Sequence, residues 1–232
     1  MYRSLYRLRW LSLLFLTSVG CGHIEFPATL ALVGDNTISM EIPFFPPGQN
    51  VFSTAVVGGA ESTISVDLLN PLQLLQPEGL MASIAVDRVL IAGGDIDIFG
   101  LHTGTICTYD DPDNPGTGTA FLRPIQEQGE FHITLNTLIS VTDPQLAGFV
   151  PGPLPFTAQV DDTTRVTLVD MLDLATGQPA DIEIHQVIQS VLPDDIPLLA
   201  GSIITADLTL KTVDQFPSDP LLDDCEAFLA GL

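Results

Sequence analysis

The sequence predicts an all-β protein, a β-sandwich or barrel-like domain with a few short helices, one of them C-terminal. Three observations carry that expectation. Apolar and polar residues alternate over many short stretches, Pro- and Gly-rich segments separate those stretches, and helix signals are brief. Alternation at period two lets a strand bury one face and hydrate the other. The alternative is an α+β layer with helices on one face of a sheet.

Taken in chain order, residues 62–68 (STISVDL) put Ile64, Val66 and Leu68 on one side. Residues 80–91 put Leu80, Ala82, Ile84 and Val86 on one face, and 95–99 (DIDIF) alternate again. The clearest strand is 131–141. Phe131, Ile133, Leu135, Ile139 and Val141 oppose His132, Thr134, Asn136 and Ser140. Segments 165–169, 181–184 and 202–210 complete the strands, and 185–192 (HQVIQSVL) stays open between strand and helix.

The helix signals share one device. Asn70-Pro71, Asp143-Pro144 and Asp219-Pro220 each place a capping residue before a proline, whose missing N–H suits the first helical turn. They predict short helices over 72–75, 145–149 and 221–229. The last carries an apolar stripe of Leu221, Leu222, Cys225, Phe228 and Leu229. Loops are expected at 43–49, 110–118 and 151–155, where Pro and Gly bar a central strand.

The N-terminus reads as an address. Arg3, Arg7 and Arg9 precede an apolar run over 10–19, and no acidic residue occurs before Glu25. This is the order of a secretory signal peptide, and the run is too short to span a bilayer. Small residues then lead into Cys21. The stretch Thr17-Ser18-Val19-Gly20-Cys21 resembles the lipobox of bacterial lipoprotein precursors, although Ser18 stands where a Leu is usual. The resemblance implies cleavage before Cys21 and lipidation of its sulfur. The domain expectation is therefore a signal peptide over 1–20, a lipidated tether over 21–27 and a single strand-rich domain over 28–232. Gly22 in place of Asp leans toward an outer-membrane lipoprotein of a Gram-negative cell envelope, periplasmic or surface-facing. The other reading is an ordinary signal peptide with Cys21 a bystander.

Charge excludes one class of function. Of seven cationic residues, Arg88, Arg123, Arg165 and Lys211 lie beyond the signal region, against 29 acidic ones, a formal −25. Such a surface repels nucleic acid and anionic headgroups. The expected partners are the membrane, through the lipid, and a protein of the envelope. Adaptation to saline surroundings, where counterions screen the repulsion, is one account of the acidity.

With Cys21 lipidated, Cys107 and Cys225 remain, 118 positions apart in a chain bound for an oxidising compartment. A disulfide between them is expected, and two separate buried thiols are the alternative. The loop DDPDNPGTG sets Asp110, Asp111, Asp113 and Asn114 close together. Calcium takes such oxygen ligands, but Pro115 and Leu122 break the EF-hand pattern, and a solvated Asx turn is the other reading. No cofactor is expected beyond that calcium.

The sequence contains no G-x-S-x-G, H-E-x-x-H, C-x-x-C or P-loop motif, and His23, His102, His132 and His185 are scattered singly. The leading expectation is a non-enzymatic, lipid-anchored envelope protein with a structural or interaction role. A carrier or sensor of an apolar small ligand is the alternative, suggested by Leu30, Leu32, Phe44, Phe45, Val51, Phe52, Val56 and Val57. A hydrolase whose residues converge only in the fold is the third.

Overall fold

The computed structural model describes residues 22–68, 73, 76–98, 100–143, 152–192 and 199–231. Cys21, the expected helices at 72–75 and 145–149, and the signal region lie outside these, apart from Gln73.

The longest strand, β3 (Val51–Leu68), organises the sheet. On one side it pairs from Val56 to Val66 with β4 (Leu80–Gly93). On the other it pairs with two shorter strands. β1 (Gly22–Leu32) takes the half from Gly59 to Leu68, and β2 (Thr37–Glu41) the half from Val51 to Ala55. Beyond the small hairpin of β5 (Asp97–Ile98) and β6 (Leu101–His102), the pattern repeats. β7 (Ile106–Asp110) and β8 (Thr117–Arg123) share the far edge of β4, and both pair with β9 (Gln128–Val141). β10 (Leu154–Thr164) follows β9. In the other direction β12 (Ile203–Val213) pairs with both β1 and β2, and β11 (Glu183–Val191) with β12.

The sheet therefore curls into a barrel-like wall, two of whose positions are filled by end-to-end pairs of short strands. β10 and β11 are neighbours where the ends of the sheet meet, yet they share no ladder. Two side chains stitch this seam. Thr164 Oγ1 donates to the Glu183 carbonyl at 2.6 Å, and the His185 amide donates to the Asp162 carboxylate at 3.2 Å. Charged groups along an edge discourage pairing with another chain.

The interior follows the alternation. Phe131, Ile133, Leu135 and Ile139 of β9 belong to or pack against one core with Ile64, Val66, Ile84, Val160, Ile184 and Leu208. A bulge at Asp87 resets β4, because Glu61 faces Arg88 while Ser62 faces Val86. Before it Leu80, Ala82, Ile84 and Val86 enter the main core. After it Val89 and Ile91 do, and Leu90 and Ala92 join a separate cluster with Cys107, Leu222 and Cys225. That cluster seats the C-terminal helix α2 (Pro220–Leu229), whose cap is the Asp219 carboxylate accepting from the Leu221 amide at 2.9 Å. Cys225 is bonded to Cys107, with Cα atoms 5.5 Å apart.

Several expectations need correction. Residues 165–169 are not a strand: the helix α1 (Leu168–Ala175) starts there. Thr167 and Asp170 form a reciprocal capping box, which outweighs the short alternation. Asp170 is 5% exposed. Burial pushes its carboxyl up, but hydrogen bonds from Thr167 and the Asp181 amide outweigh that and hold it below the usual range. Residues 22–27 are not a free tether, since β1 is paired from its first residue, Gly22 opposite Leu68. Segment 185–192 is strand except for its last residue. Pro27 and Pro155 both sit in strands. Pro27 precedes the β12 pairing, which starts at Thr29, and β10 has a ladder only to β9, so at each proline one strand edge needs no donor.

Candidate functional site

The barrel interior is not fully packed. A cavity of about 70 Å³ lies toward the end that carries β2, β7 and the β5–β6 hairpin. Six isoleucines line it (Ile38, Ile96, Ile98, Ile106, Ile139 and Ile204), with Met40, Val141, Leu154, Leu192, Leu199, Thr103 and Thr108. A second cavity, about 40 Å³, adjoins it deeper in and shares Ile38, Thr108, Ile139 and Ile204. A third, about 30 Å³, lies nearer the opposite end between Leu30, Ile64, Phe131 and Ile184.

Local patterning produces this lining. β2, β7, β9 and β12 each send alternate side chains inward, and the inward positions are mainly β-branched aliphatics, which suit strands and leave gaps where they meet. The two upper cavities also touch the seam. Leu154, Phe156 and Ala158 reach them from β10, and Ile188 and Leu192 from β11 and its end. Among the described residues neither cavity is lined by a charged side chain, a histidine or a cysteine. The arrangement can desolvate an apolar molecule.

Polar groups of the lining differ in one respect. Thr103 Oγ1 accepts from the Ile96 amide at 2.8 Å and donates to the Gly104 carbonyl at 2.9 Å. Thr137 Oγ1 donates to the Phe156 carbonyl at 3.1 Å. Thr108 is 7% exposed, and its hydroxyl has no hydrogen-bond partner among the described residues. The same holds for the hydroxyl of Ser202, whose amide donates to the carbonyl of Leu199 in the cavity wall.

The residues singled out in the sequence fall elsewhere. Asp110 accepts from the Val89 amide at 3.2 Å, and Asp111 accepts from the Asp113 amide at 3.0 Å in an Asx turn closed by Asn114 N to Asp111 O. Among the described residues no three His, Cys, Asp or Glu side chains gather as a metal-binding group. Each histidine is exposed and paired with carboxylate: His23 with Asp67 and Glu25, His102 with Asp95, His132 with Asp161 and His185 with Asp207. Of the apolar N-terminal set, Leu30 lines the lower cavity, Val56 is core, Val57 packs by α2, and Phe45 meets Phe52 edge-on at 6.1 Å. Phe44 and Val51 are exposed. The upper cavity residues were missed, although Ile139 and Val141 lay on the predicted inward face of β9.

An open groove of about 460 Å³ also runs between α2 and the barrel, past Arg88, Tyr109, Asp110 and Glu226. Its guanidinium is engaged by Glu226 at 2.5 Å and lies 4.5 Å from the Phe216 ring centroid.

Fold and interior together define an all-β, barrel-like protein with apolar internal cavities. The chain matches no protein-family model and no curated protein. Among solved structures it is similar to DynF from the dynemicin biosynthesis pathway of Micromonospora chersina, with 12% identity, 84% of this chain and 81% of that chain covered, and a TM-score of 0.43.

Proposed function

We propose that this chain is a lipid-anchored, non-enzymatic protein of the cell envelope, outer-membrane attached through Cys21, whose barrel takes up a small apolar ligand. The observation that carries the ligand reading is the pair of adjoining upper cavities with aliphatic walls. Barrels of about eight strand positions have interiors just wide enough to be filled by side chains or to hold one small ligand. Here the filling is incomplete. The anchor reading rests on the signal-peptide pattern and on Gly22, which starts β1 one position after Cys21. The structural or interaction role draws on a different observation. Val191 and Ile203 are exposed and opposite each other on β11 and β12, exposed Glu41 of β2 stands next in the row before exposed Val51 of β3, and Phe44 is exposed near the same end.

Native mass spectrometry of the protein released gently from envelope membranes tests the ligand reading. The expected result is an added mass of roughly a hundred daltons that organic solvent removes. A bare protein mass, unchanged on incubation with apolar probes, refutes it. For the anchor, Cys21→Ser is expected to leave the membrane fraction or accumulate unprocessed. Wild-type processing and fractionation of that variant refute the lipid.

A further inference from the structure

We infer that the ligand is a neutral aliphatic molecule with one hydrogen-bonding oxygen, which meets the Thr108 hydroxyl where the two upper cavities join. The inference rests on the ligand-binding reading above and names the class of molecule.

Thr108 stands at the junction because it is one of four residues, with Ile38, Ile139 and Ile204, that line both cavities. The other three are isoleucines, so the junction is apolar except for this hydroxyl. Buried hydroxyls nearly always have a partner, and the neighbouring Thr103 and Thr137 follow that rule. Thr108 does not. Valine has the same shape and the same preference for strands, so packing gives no reason for an oxygen here. Rotation about the Cα–Cβ bond between staggered positions carries the hydroxyl from one to another of three places on Cβ, so it can turn toward the junction.

Three further features narrow the ligand. Among the described residues no charged side chain lines either cavity, so a carboxylate or ammonium group would meet no counterion there. The acidic surface also repels anions on approach. Among the described residues the larger cavity has no aromatic wall on which a planar ring would stack, although Phe156 lines the smaller one, and two small adjoining volumes suit a chain better than a ring system.

Isoleucine-methyl NMR titration tests this on the full chain carrying Cys21→Ser, which keeps the protein's own acyl groups out of the sample. The probes are 1-octanol, octanoate and n-octane, the last supplied as vapour. Octanol should shift the methyl signals of Ile38, Ile139 and Ile204 and saturate, with octanoate at least roughly ten-fold weaker. Thr108→Val should weaken octanol by roughly three- to ten-fold and leave octane unchanged. Thr108→Ser should keep the octanol preference, which separates lost hydrogen bonding from disturbed folding. Octanoate binding as tightly as octanol overturns the inference, as does an unchanged octanol-to-octane ratio in Thr108→Val. In both cases cavity methyl shifts still uphold the ligand reading. If no probe moves any cavity methyl, the reading and the inference fall together.

Discussion

Removing the Cys107–Cys225 bridge should cost this protein a large part of its stability, and the size follows from where the bridge lies. It closes a loop with a sequence separation of 118. Constraining an unfolded chain over that length is worth about 5 kcal/mol in the chain-entropy model. Residual structure in the unfolded state lowers the figure, so a loss of about 3–5 kcal/mol is expected for Cys107→Ala combined with Cys225→Ala. With a urea slope of about 2 kcal/mol per molar, the unfolding midpoint should fall by about 2 M. The slope should rise, because the uncrosslinked chain exposes more surface when unfolded. Far-ultraviolet circular dichroism is the assay. Reduced wild-type protein is the control, since it loses the bond without losing the sulfur atoms. The helix should respond as well. A segment of ten residues is marginal as an isolated helix, and α2 would keep the burial of Leu222, about 2 kcal/mol, the Asp219 cap, about 1 kcal/mol, and the weaker support of partly buried Leu221 and Leu229 and of the Arg88–Glu226 pair. Amides of α2 should then exchange with solvent well before those of β3. A midpoint unchanged to within a few tenths of a molar, with an unchanged slope, would refute the reasoning.

Other perturbations give equally definite outcomes. Gly59→Ala should cost about 3 kcal/mol or more in thermal or urea unfolding, because the added Cβ would stand 2.0 Å from the Leu30 carbonyl oxygen held in the β1–β3 ladder. Gly34→Ala, with open space around it at φ +78°, should cost about 1 kcal/mol, and equal losses at the two sites would contradict the packing account. At the β5–β6 hairpin the Asp95 hydrogen bond raises the pKa of His102 above 6.5, with Asp97 and Asp143 adding to it, and the same bond lowers that of Asp95. The stabilisation is therefore lost as pH rises through the raised His102 value, and again as pH falls through the lowered Asp95 value. An NMR titration of His102 should show the raised midpoint, and Asp95→Asn should return it toward the ordinary histidine value; a midpoint indifferent to that change would exclude the pairing. Finally, all four cations beyond the signal region are already paired with carboxylates, which leaves the remaining acidic groups to repel one another. The melting temperature should rise by several degrees between about 0.1 M and about 1 M sodium chloride, and a flat profile would show that the repulsion does not limit stability.

Local patterns made part of this protein legible. β9 could be read residue by residue, because a strand with one face inside a barrel must alternate along its length. The C-terminal helix was equally plain, since the Asp219 cap, Pro220 and the stripe through Cys225 are all encoded within one short segment. That stripe already pointed Cys225 toward the body of the protein. Where a local pattern was short or ambiguous, the reading failed. Residues 165–169 alternate, but the Thr167–Asp170 capping box competes over the same span and prevails. Residues 22–27 contain a proline and follow the stretch read as a signal peptide, so nothing local marked them as strand. They became one because β3 offers Gly22 through Ala31 a partner edge.

The sequence by itself determined the class of fold, the acidic surface and the C-terminal helix, and it carried the expectation that Cys107 pairs with Cys225. These depend on periodicity, composition and signals only a few residues long. The tertiary structure alone decided that the sheet curls until β10 meets β11, that β-branched residues from β2, β7, β9 and β12 leave adjoining gaps, and that Thr108 lacks a partner between them. Those features depend on distances between strands far apart in the chain. Ile38, Thr108, Ile139 and Ile204 become neighbours only when the barrel forms, and no single stretch of sequence contains that geometry.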